Sequence, residues 1–205
     1  MSPRSRWPRL GALLLLLAAV VLALAAGWDQ TAQQWCQAWR QSPFSRGLAW
    51  AAYWAGLGGT QAALLAGLAL WGWRRRDAGQ VRAGLAGIGA VIASGLMVQV
   101  CKHLAGRPRP SLALPANEYF GPTFKSDLLS FPSGHATTSF AVAADLSVWY
   151  PRAAWLFYAL AALICLGRVL GNAHYPSDVL AGAFLGLAVG WPLASLVARR
   201  AGRQP

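Results

Sequence analysis

Two histidines lie where a reactive polar residue is unusual, at the ends of long apolar segments. In FPSGH (131–135), His135 directly precedes an apolar run, and GRVLGNAHYPSD (167–178) contains His174 and Asp178 just before another. Ionisable residues at membrane depth are energetically costly and usually serve a function. We therefore interpret these stretches as parts of a catalytic site.

The three residues His174, Asp178 and His135 are suited to phosphoryl transfer. His174 and Asp178 are spaced i, i+4, so they share a face if a helix starts there. A carboxylate bonded to one imidazole nitrogen selects the tautomer and makes the other nitrogen a better base or nucleophile. We expect His174 to attack phosphorus and His135 to protonate the departing oxygen.

Cations and a helix start supply complementary phosphate-binding groups. Lys102 and Arg109 belong to the stretch KHLAGRPRP, and Arg168 follows an apolar run. Guanidinium groups match phosphate oxygens bidentately, and several unpaired cations near lipid would repel one another without an anion. Ser133 and Gly134 mark a predicted helix start, where free N–H groups and the helix dipole favour an anion. Ser133 has an alternative role as a helix N-cap, and the two roles can coexist.

The composition indicates a membrane protein. The chain has 205 residues, of which 56% are hydrophobic and 12% are charged, whereas soluble domains carry roughly 25% charged residues. A net charge of +12 also occurs in nucleic-acid binders, but the basic residues fall mostly between apolar runs, as topology signals do. We therefore expect no nucleic-acid partner. The three cysteines are far apart and show no CxxC spacing, so they predict neither a disulfide framework nor a zinc site.

Uncharged runs predict an all-α protein with six transmembrane helices in a single domain, 1–205. A hydrocarbon core about 30 Å thick requires roughly 20 apolar residues per helix. The predicted spans are 10–28, 47–73, 83–101, 136–150, 153–167 and 179–197. Only Pro151 and Arg152 separate the fourth span from the fifth, which predicts an antiparallel hairpin. The first run is also consistent with a secretory signal peptide, but its length favours a retained helix.

The distribution of basic residues predicts the orientation. With both termini in the cytoplasm, more of the 18 Lys and Arg residues lie inside than outside, in agreement with the positive-inside rule. The alternating direction of the spans then gathers the stretches 102–110, 131–135 and 167–178 at the outer face. The predicted location is a bacterial inner membrane, with the site facing the periplasm. The oligomeric state stays open.

Two segments between the spans are expected to lie near the membrane surface. Residues 31–44 contain Trp35 and Trp39 one helical turn apart among glutamines, which predicts an interfacial helix. A polar loop with interfacial tryptophans is the alternative. The segment 111–131 is rich in aromatic and apolar residues, and loops of this length are usually functional or disordered. We interpret it as a lid or interfacial element over the site.

Several further polar residues are given roles outside catalysis. His103 and Arg107 are interpreted as loop residues or as contacts to lipid headgroups. Asp145 lies in the fourth predicted span, and we expect it to face a polar partner such as Arg152 near the cytoplasmic end. Gln99 is expected to face either the pocket or a neighbouring helix.

The three polar stretches together resemble the three-part signature of the type 2 phosphatidic acid phosphatase (PAP2) superfamily. The signature reads K-x6-R-P, P-S-G-H and S-R-x5-H-x3-D, and the chain matches it in order within residues 102–178. One position departs, because Gly167 stands where the family has serine. That serine is not the attacking group, so the resemblance still implies an active enzyme with altered local hydrogen bonding.

The resemblance implies a role for each matching residue. The implied phosphate-binding residues are Lys102, Arg109, Ser133, Gly134 and Arg168. His174 would form a phosphohistidine oriented by Asp178, His135 would act as general acid, and water would release inorganic phosphate. The family needs no metal or cofactor, and its helical core is shared with the vanadium haloperoxidases. Six membrane spans argue against haloperoxidase chemistry here.

Together these features predict a membrane lipid phosphatase. The expected substrate is a lipid phosphate monoester or diphosphate, such as undecaprenyl diphosphate or monophosphate, phosphatidylglycerol phosphate, phosphatidate or lipid A. One alternative is a phosphotransferase that passes the phosphoryl group from the same phosphohistidine to a second lipid. Another alternative is a non-catalytic anion or lipid transporter, but transport favours polar groups that continue through the middle of the membrane.

Overall fold

The computed structural model describes residues 11, 13, 15–20, 23 and 27–202. Within these residues the chain is largely helical and contains no strand, as predicted. The main helices are α1 (Trp28–Arg40), α2 (Pro43–Gly56), α3 (Gly58–Arg74), α4 (Ala78–Ala105), α5 (Gly134–Trp149), α6 (Ala154–Leu170) and α7 (Pro176–Arg200). Most of the predicted first span, 10–28, lies outside the described residues, and its retention stays a prediction.

Among the described residues, three helical segments are long and apolar enough to cross a membrane. They are Ala78–Leu112, Pro151–Leu170 and Pro176–Arg200, and they correspond to the third, fifth and sixth predicted spans. α5, which corresponds to the fourth, has 16 residues and packs against α4, α6 and α7. The count of six spans stays a prediction.

The prediction of 47–73 as one continuous helix is wrong, because the chain breaks at Leu57. Leu57 is extended, with φ −64° and ψ 129°, and lies between Gly56 and Gly58, which are weak helix formers. The break lets α2 pack on α6 while α3 packs on α4. Gly56 lies against the ring of His135, where a Cβ atom would overlap the imidazole. The interruption therefore makes room for a candidate catalytic residue.

Glycines on α7 bring this helix into close contact with α5. Gly182, Gly186 and Gly190 recur every four residues, and a Cβ atom at each would overlap a backbone carbonyl oxygen of α5 or of the residue that caps it. Small residues that let backbones approach are a common basis of helix packing in membranes. At one end of this contact, the Ser133 N–H donates to the Asp178 carbonyl at 2.9 Å. This hydrogen bond therefore links the start of α5 to the start of α7.

α5 and α6 form the predicted hairpin through the short 3-10 helix Pro151–Ala153. The suggested pairing of Asp145 with Arg152 is wrong. Both Asp145 and Arg152 lie in the described part of the chain, and no ion pair joins them, because Arg152 in the turn is exposed while Asp145 is fully buried. The Asp145 carboxylate instead lies beside Gly87 of α4.

α1 confirms the helical interpretation for most of the segment 31–44. Trp35 and Trp39 are 76% and 68% exposed, whereas Asp29 and Gln33 are buried against the rest of the protein. The helix thus presents polar groups inward and tryptophans outward. Outward tryptophans suit a membrane–water interface, and the interfacial position of α1 stays a prediction.

Candidate active site

His174 lies just before α7, with its side chain almost fully buried. Its Nδ1 is 2.9 Å from the Ser130 carbonyl oxygen, which can only accept a hydrogen bond. The ring proton therefore sits on Nδ1, and Nε2 keeps the lone pair that a nucleophile needs. Burial lowers the pKa of His174 from 6.5 to about 4, so the ring is neutral near pH 7.

Asp178 lies beside His174, as predicted, but the contact between the two side chains is longer than an ordinary hydrogen bond. Asp178 Oδ2 is 3.6 Å from His174 Nδ1, and it accepts shorter hydrogen bonds from the Ser130 hydroxyl (2.6 Å) and the Tyr175 N–H (2.8 Å). The backbone carbonyl of Ser130 is closer to the ring and accepts the shorter hydrogen bond from Nδ1. Ser130 therefore selects the tautomer, and Asp178 holds Ser130 and the start of α7 in place.

His135 lies in the first turn of α5 and contacts α2. Its Nε2 is 3.0 Å from the Tyr53 carbonyl oxygen, an acceptor that keeps a proton on this nitrogen and leaves Nδ1 for another partner. The Tyr53 ring packs beside the imidazole, with centroids 5.8 Å apart. The same ring lies 5.5 Å from the Arg168 guanidinium carbon. Tyr53 thus positions two candidate site residues, and within its apolar run nothing in the sequence distinguished it.

The cations Lys102, Arg109 and Arg168 lie within electrostatic range of one another, as predicted. Lys102 Nζ donates to the Leu129 carbonyl at 2.5 Å. The Arg109 guanidinium donates to the carbonyl of Ala173 at 3.3 Å, directly before the buried histidine. Backbone carbonyls of two loops therefore hold these cations at one place.

Arg168 has unused hydrogen-bonding capacity. Within the described residues, its Nε is buried and has no hydrogen-bond partner. A buried unpaired donor costs about 1–3 kcal/mol, so an acceptor supplied by a ligand is favourable. His135 lies within electrostatic range of Arg168, Lys102 and His174. The structure thus brings the two histidines and the cations to one end of the helix bundle.

The start of α5 is where the sequence predicted it. Ser133 is the N-cap, and its Oγ accepts from the Ala136 N–H at 3.4 Å, which confirms the capping role. The first N–H groups of a helix lack intrahelical acceptors. The Lys102 side chain passes Gly134, whose Cβ position would lie 3.6 Å from Lys102 Cε. An ammonium group and a helix start at one place suit an anion, and phosphate contacts by Ser133 and Gly134 stay a prediction.

Gly167, the one departure from the family signature, is explained by helix packing. A Cβ atom at this position would overlap the Ala52 side chain and the Leu48 carbonyl oxygen of α2. A serine would therefore push α6 away from α2. The close contact between these helices requires glycine.

Arg107 is the main residue that the sequence interpretation misjudged. Arg107 does lie in a loop, between Ala105 and Pro110, but the interpretation as a headgroup contact is wrong, since Arg107 is 1% exposed. It forms ion pairs with Asp29 at 2.6 Å and Asp178 at 2.5 Å, and its guanidinium carbon lies 4.5 Å from the Tyr175 ring centroid. Two carboxylates from distant segments make its burial possible, because buried charges are stable only when paired. The sequence contained one hint of this pairing, since Asp29 is one of only six acidic residues in the chain.

The segment 111–131 lies against the first polar stretch. The Phe120 N–H donates to the Gly106 carbonyl at 3.0 Å, and the Leu129 and Ser130 carbonyls bind Lys102 and the buried histidine as described above. Its Phe124 side chain is 89% exposed. The segment therefore forms part of the site's framework, and a lid function stays a prediction.

A cavity of about 410 Å³ adjoins His135 and Gly134 between α3, α4 and α5. It is lined mostly by apolar residues of α4 and of the α2–α3 junction, and Gln99 faces it. Ile92 and Leu96, which also line the cavity, are 56% and 67% exposed. The cavity therefore connects the candidate site with the outer surface of the helix bundle.

Comparison with known proteins identifies related chains. A family model described as the PAP2 superfamily matches residues 83–201. A lipid A 1-phosphatase of Rhizobium etli is 38% identical over 103 residues, which cover 49% of this chain and 43% of that protein. A decaprenylphosphoryl-5-phosphoribose phosphatase of Mycobacterium tuberculosis is 38% identical over 106 residues, which cover 52% of this chain and 56% of that protein. The chain thus spans about half the length of these relatives.

A solved structure shares the fold. The crystal structure of a transmembrane PAP2 type phosphatidylglycerolphosphate phosphatase from Bacillus subtilis matches with a TM-score of 0.67, covering 94% of this chain and 95% of that one at 20% identity. The region matched by the family model, 83–201, contains all three polar stretches and the helices that carry them. The chain belongs to the PAP2 superfamily.

Proposed function

We propose that the protein is a metal-independent membrane lipid phosphatase that hydrolyses a lipid phosphate monoester or diphosphate through a phosphohistidine. The observation that carries the proposal is His174, buried and neutral, with its Nδ1 proton held by the Ser130 carbonyl and its Nε2 available for attack. Family membership and the lipid phosphatases among the relatives support a lipid phosphate as substrate.

In the first step of the proposed mechanism, His174 Nε2 attacks phosphorus and the bond to the lipid oxygen breaks. Lys102, Arg109 and Arg168 neutralise the charge on the equatorial oxygens, which is the main task in phosphoryl transfer. Burial lowers the pKa of His135 to about 4, so the ring takes up a second proton, at Nδ1, together with the anionic phosphate and then donates it to the departing oxygen. The Tyr53 carbonyl assists, because an acceptor on Nε2 stabilises the doubly protonated ring.

In the second step, water attacks the phosphohistidine. His135, now neutral, takes a proton from the water, and the phosphorus–nitrogen bond breaks to release inorganic phosphate. The lone pair returns to Nε2 of His174, while Nδ1 keeps its proton and its hydrogen bond to the Ser130 carbonyl. Both histidines end in the protonation state that they had with the substrate bound, and the second His135 proton leaves with the phosphate.

The proposed setting is a bacterial inner membrane, with six spans, cytoplasmic termini and a periplasmic site. The distribution of basic residues and the bacterial sources of the relatives support this setting. The candidate lipids are undecaprenyl diphosphate or monophosphate, phosphatidylglycerol phosphate, phosphatidate and lipid A. The phosphotransferase with a second lipid as acceptor is the alternative within the same chemistry.

The test is phosphate release by the purified full-length protein from a panel of these lipids, with and without EDTA. We expect release from at least one lipid and no change with the chelator, since the proposed mechanism uses only side chains. Abolition by EDTA and recovery on adding a metal would contradict the metal-free mechanism. A newly phosphorylated lipid in place of free phosphate would establish the phosphotransferase, and no reaction with any lipid would refute the enzyme.

The cavity beside His135 predicts the route of the lipid chain. Gly95 lines this cavity, and a Cβ atom there meets nothing within 4 Å, so Gly95→Phe should fold and fill the space. Displacing two methylenes costs about 1.6 kcal/mol. We therefore expect kcat/KM to fall about tenfold or more on a long-chain lipid, with little change on a short-chain, water-soluble phosphate.

The matched control is Gly67→Phe. A Cβ atom at Gly67 of α3 also meets nothing within 4 Å, but the residue lies outside the cavity. This variant should leave kcat/KM on both substrates unchanged. An equal loss on the long and short substrates in Gly95→Phe would argue against the cavity as the route of the chain.

A further inference from the structure

The inward polar face of α1 holds the loop that carries His174. Asp29, Gln33 and Arg40 lie on one side of the helix, at spacings of four and seven residues. Gln33 Nε2 donates to the His174 carbonyl oxygen at 3.1 Å, and Arg40 Nε donates to the Leu170 carbonyl oxygen at 3.3 Å. α1 therefore binds the backbone of this loop near both of its ends.

Asp29 joins this face to a buried charge cluster. Its Oδ2 accepts from Arg107 at 2.6 Å and from the Ser177 hydroxyl at 2.5 Å, and its Oδ1 accepts from the Ser177 N–H at 3.0 Å. Arg107 donates in turn to Asp178 Oδ1. Asp29, Arg107 and Asp178 are 3%, 1% and 0% exposed. The cluster thus consists of one guanidinium shared by two buried carboxylates.

The cluster reaches His174 through Ser130. Asp178 accepts from Arg107 at Oδ1 and from the Ser130 hydroxyl at Oδ2, and the Ser130 carbonyl accepts a hydrogen bond from His174 Nδ1. If Asp29 loses its charge, Arg107 is balanced by Asp178 alone and attracts that carboxylate more strongly. The contacts that aim the imidazole would then shift.

Arg107 itself is fully engaged by the protein. Its Nε and Nη2 donate to the Ala116 carbonyl at 2.9 and 2.7 Å, and its remaining contacts go to Ser177 and the two carboxylates. It is therefore arranged to act on other side chains and not on the phosphate. Disrupting these contacts should therefore slow the chemical step and leave substrate binding unchanged.

We propose that Asp29, Gln33 and Arg107 are positioning residues that hold His174 Nε2 in line with the bound phosphate. α1 precedes the region 83–201 that the family model matches, so this assigns a catalytic purpose to a segment outside it. The proposal rests on the proposed phosphohistidine chemistry. Misplacement of a reacting atom by about 1 Å is enough to reduce a rate about 100-fold.

The test is Asp29→Asn, which keeps the shape of the side chain and removes its charge. We expect kcat to fall about 10- to 100-fold, since misplacing a reacting atom by about 1 Å costs up to about 100-fold, while KM stays at the wild-type value. Phosphoenzyme formation in a single turnover should slow by the same factor as kcat. Asp29→Glu, which keeps the charge, should recover part of the loss.

Asp77→Asn is the matched control. Asp77 also caps a helix, because its Oδ1 accepts from the Gly79 and Gln80 N–H groups, but it lies at the opposite end of α4 from Lys102. The distance along the helix is about 1.5 Å per residue, which places Asp77 far from the site. This variant should keep the wild-type kcat and KM.

The outcomes distinguish the proposed phosphatase function from the positioning role of Asp29. Wild-type phosphate release without any phosphoenzyme, or no release at all, refutes the proposed function. An active wild type and a folded Asp29→Asn variant with unchanged kcat, or with a raised KM alone, overturns the positioning role. Thermal unfolding in detergent tests whether Asp29→Asn folds. If it does not, the same measurements are made on Ser177→Ala, which removes only the hydroxyl between Arg107 and Asp29. Failure of both to fold also overturns the proposal, because the cluster then serves stability.

Discussion

Replacing His174 with alanine is expected to reduce phosphate release by at least about 10⁴-fold, since loss of the nucleophile in a covalent mechanism has effects of this size or larger. The Ser130 carbonyl fixes the Nδ1 proton, so Nε2 is the atom whose removal stops the reaction. The measurement is rapid quenching with a radiolabelled lipid phosphate. Wild-type protein should show an acid-labile, alkali-stable phosphoprotein, and His174→Ala should show none.

His103→Ala is the control for this prediction. His103 is the same residue type at the same end of the molecule, but its Nδ1 contacts the Gln99 carbonyl at 2.7 Å and its ring packs on Phe124. We expect wild-type turnover and a wild-type phosphoenzyme yield. A phosphoenzyme that persists in His174→Ala would contradict the assignment of the nucleophile.

Replacing His135 with alanine is expected to lower turnover of the lipid substrate by about 10²- to 10⁴-fold, the usual contribution of general acid catalysis. A substrate with a good leaving group, such as a nitrophenyl phosphate, needs no proton on its departing oxygen. The loss in the phosphorylation step should therefore be much smaller with that substrate. Burst kinetics should show fast phosphorylation followed by slow hydrolysis, because water activation also uses His135.

The comparison of leaving groups distinguishes proton transfer from binding. If His135 only held the phosphate, both substrates would lose the same factor in phosphorylation, since both carry the same phosphoryl group. Loss of the contact with Tyr53 and Gly56 leaves space in the bundle, so the thermal unfolding of the variant is measured alongside. An equal loss with both substrates would contradict the general acid role.

The start of α5 shows what could be predicted from local sequence. Proline, serine and glycine before an apolar run predicted a helix start, and the structure has Ser133 as N-cap with α5 beginning at Gly134. The spacing of Trp35 and Trp39 likewise predicted the helix α1. Helix starts and amphipathic faces depend on residues within one or two helical turns along the chain. The sequence therefore shows the residues that determine them.

The break between α2 and α3 shows where this approach fails. Residues 47–73 form one uncharged run, and length alone favours one helix. The interruption at Leu57 lets the two halves pack on different partners and brings Gly56 against His135. Glycines at 56 and 58 weakened the helix, but a glycine within a membrane helix is common. Only contacts with distant helices decided that the chain breaks there.

By itself, the sequence determined which residue types carry the chemistry: two imidazoles, a carboxylate and several cations placed at the ends of apolar runs. Only the tertiary structure decided their partners. The Ser130 carbonyl lies closer to His174 Nδ1 than Asp178 does and accepts its hydrogen bond, and Arg107 is buried because Asp29, 78 residues away, lies beside it. The order of the spans predicted that the polar stretches gather at one end, but not which groups within them form contacts, and a buried charge or imidazole takes its state from those contacts.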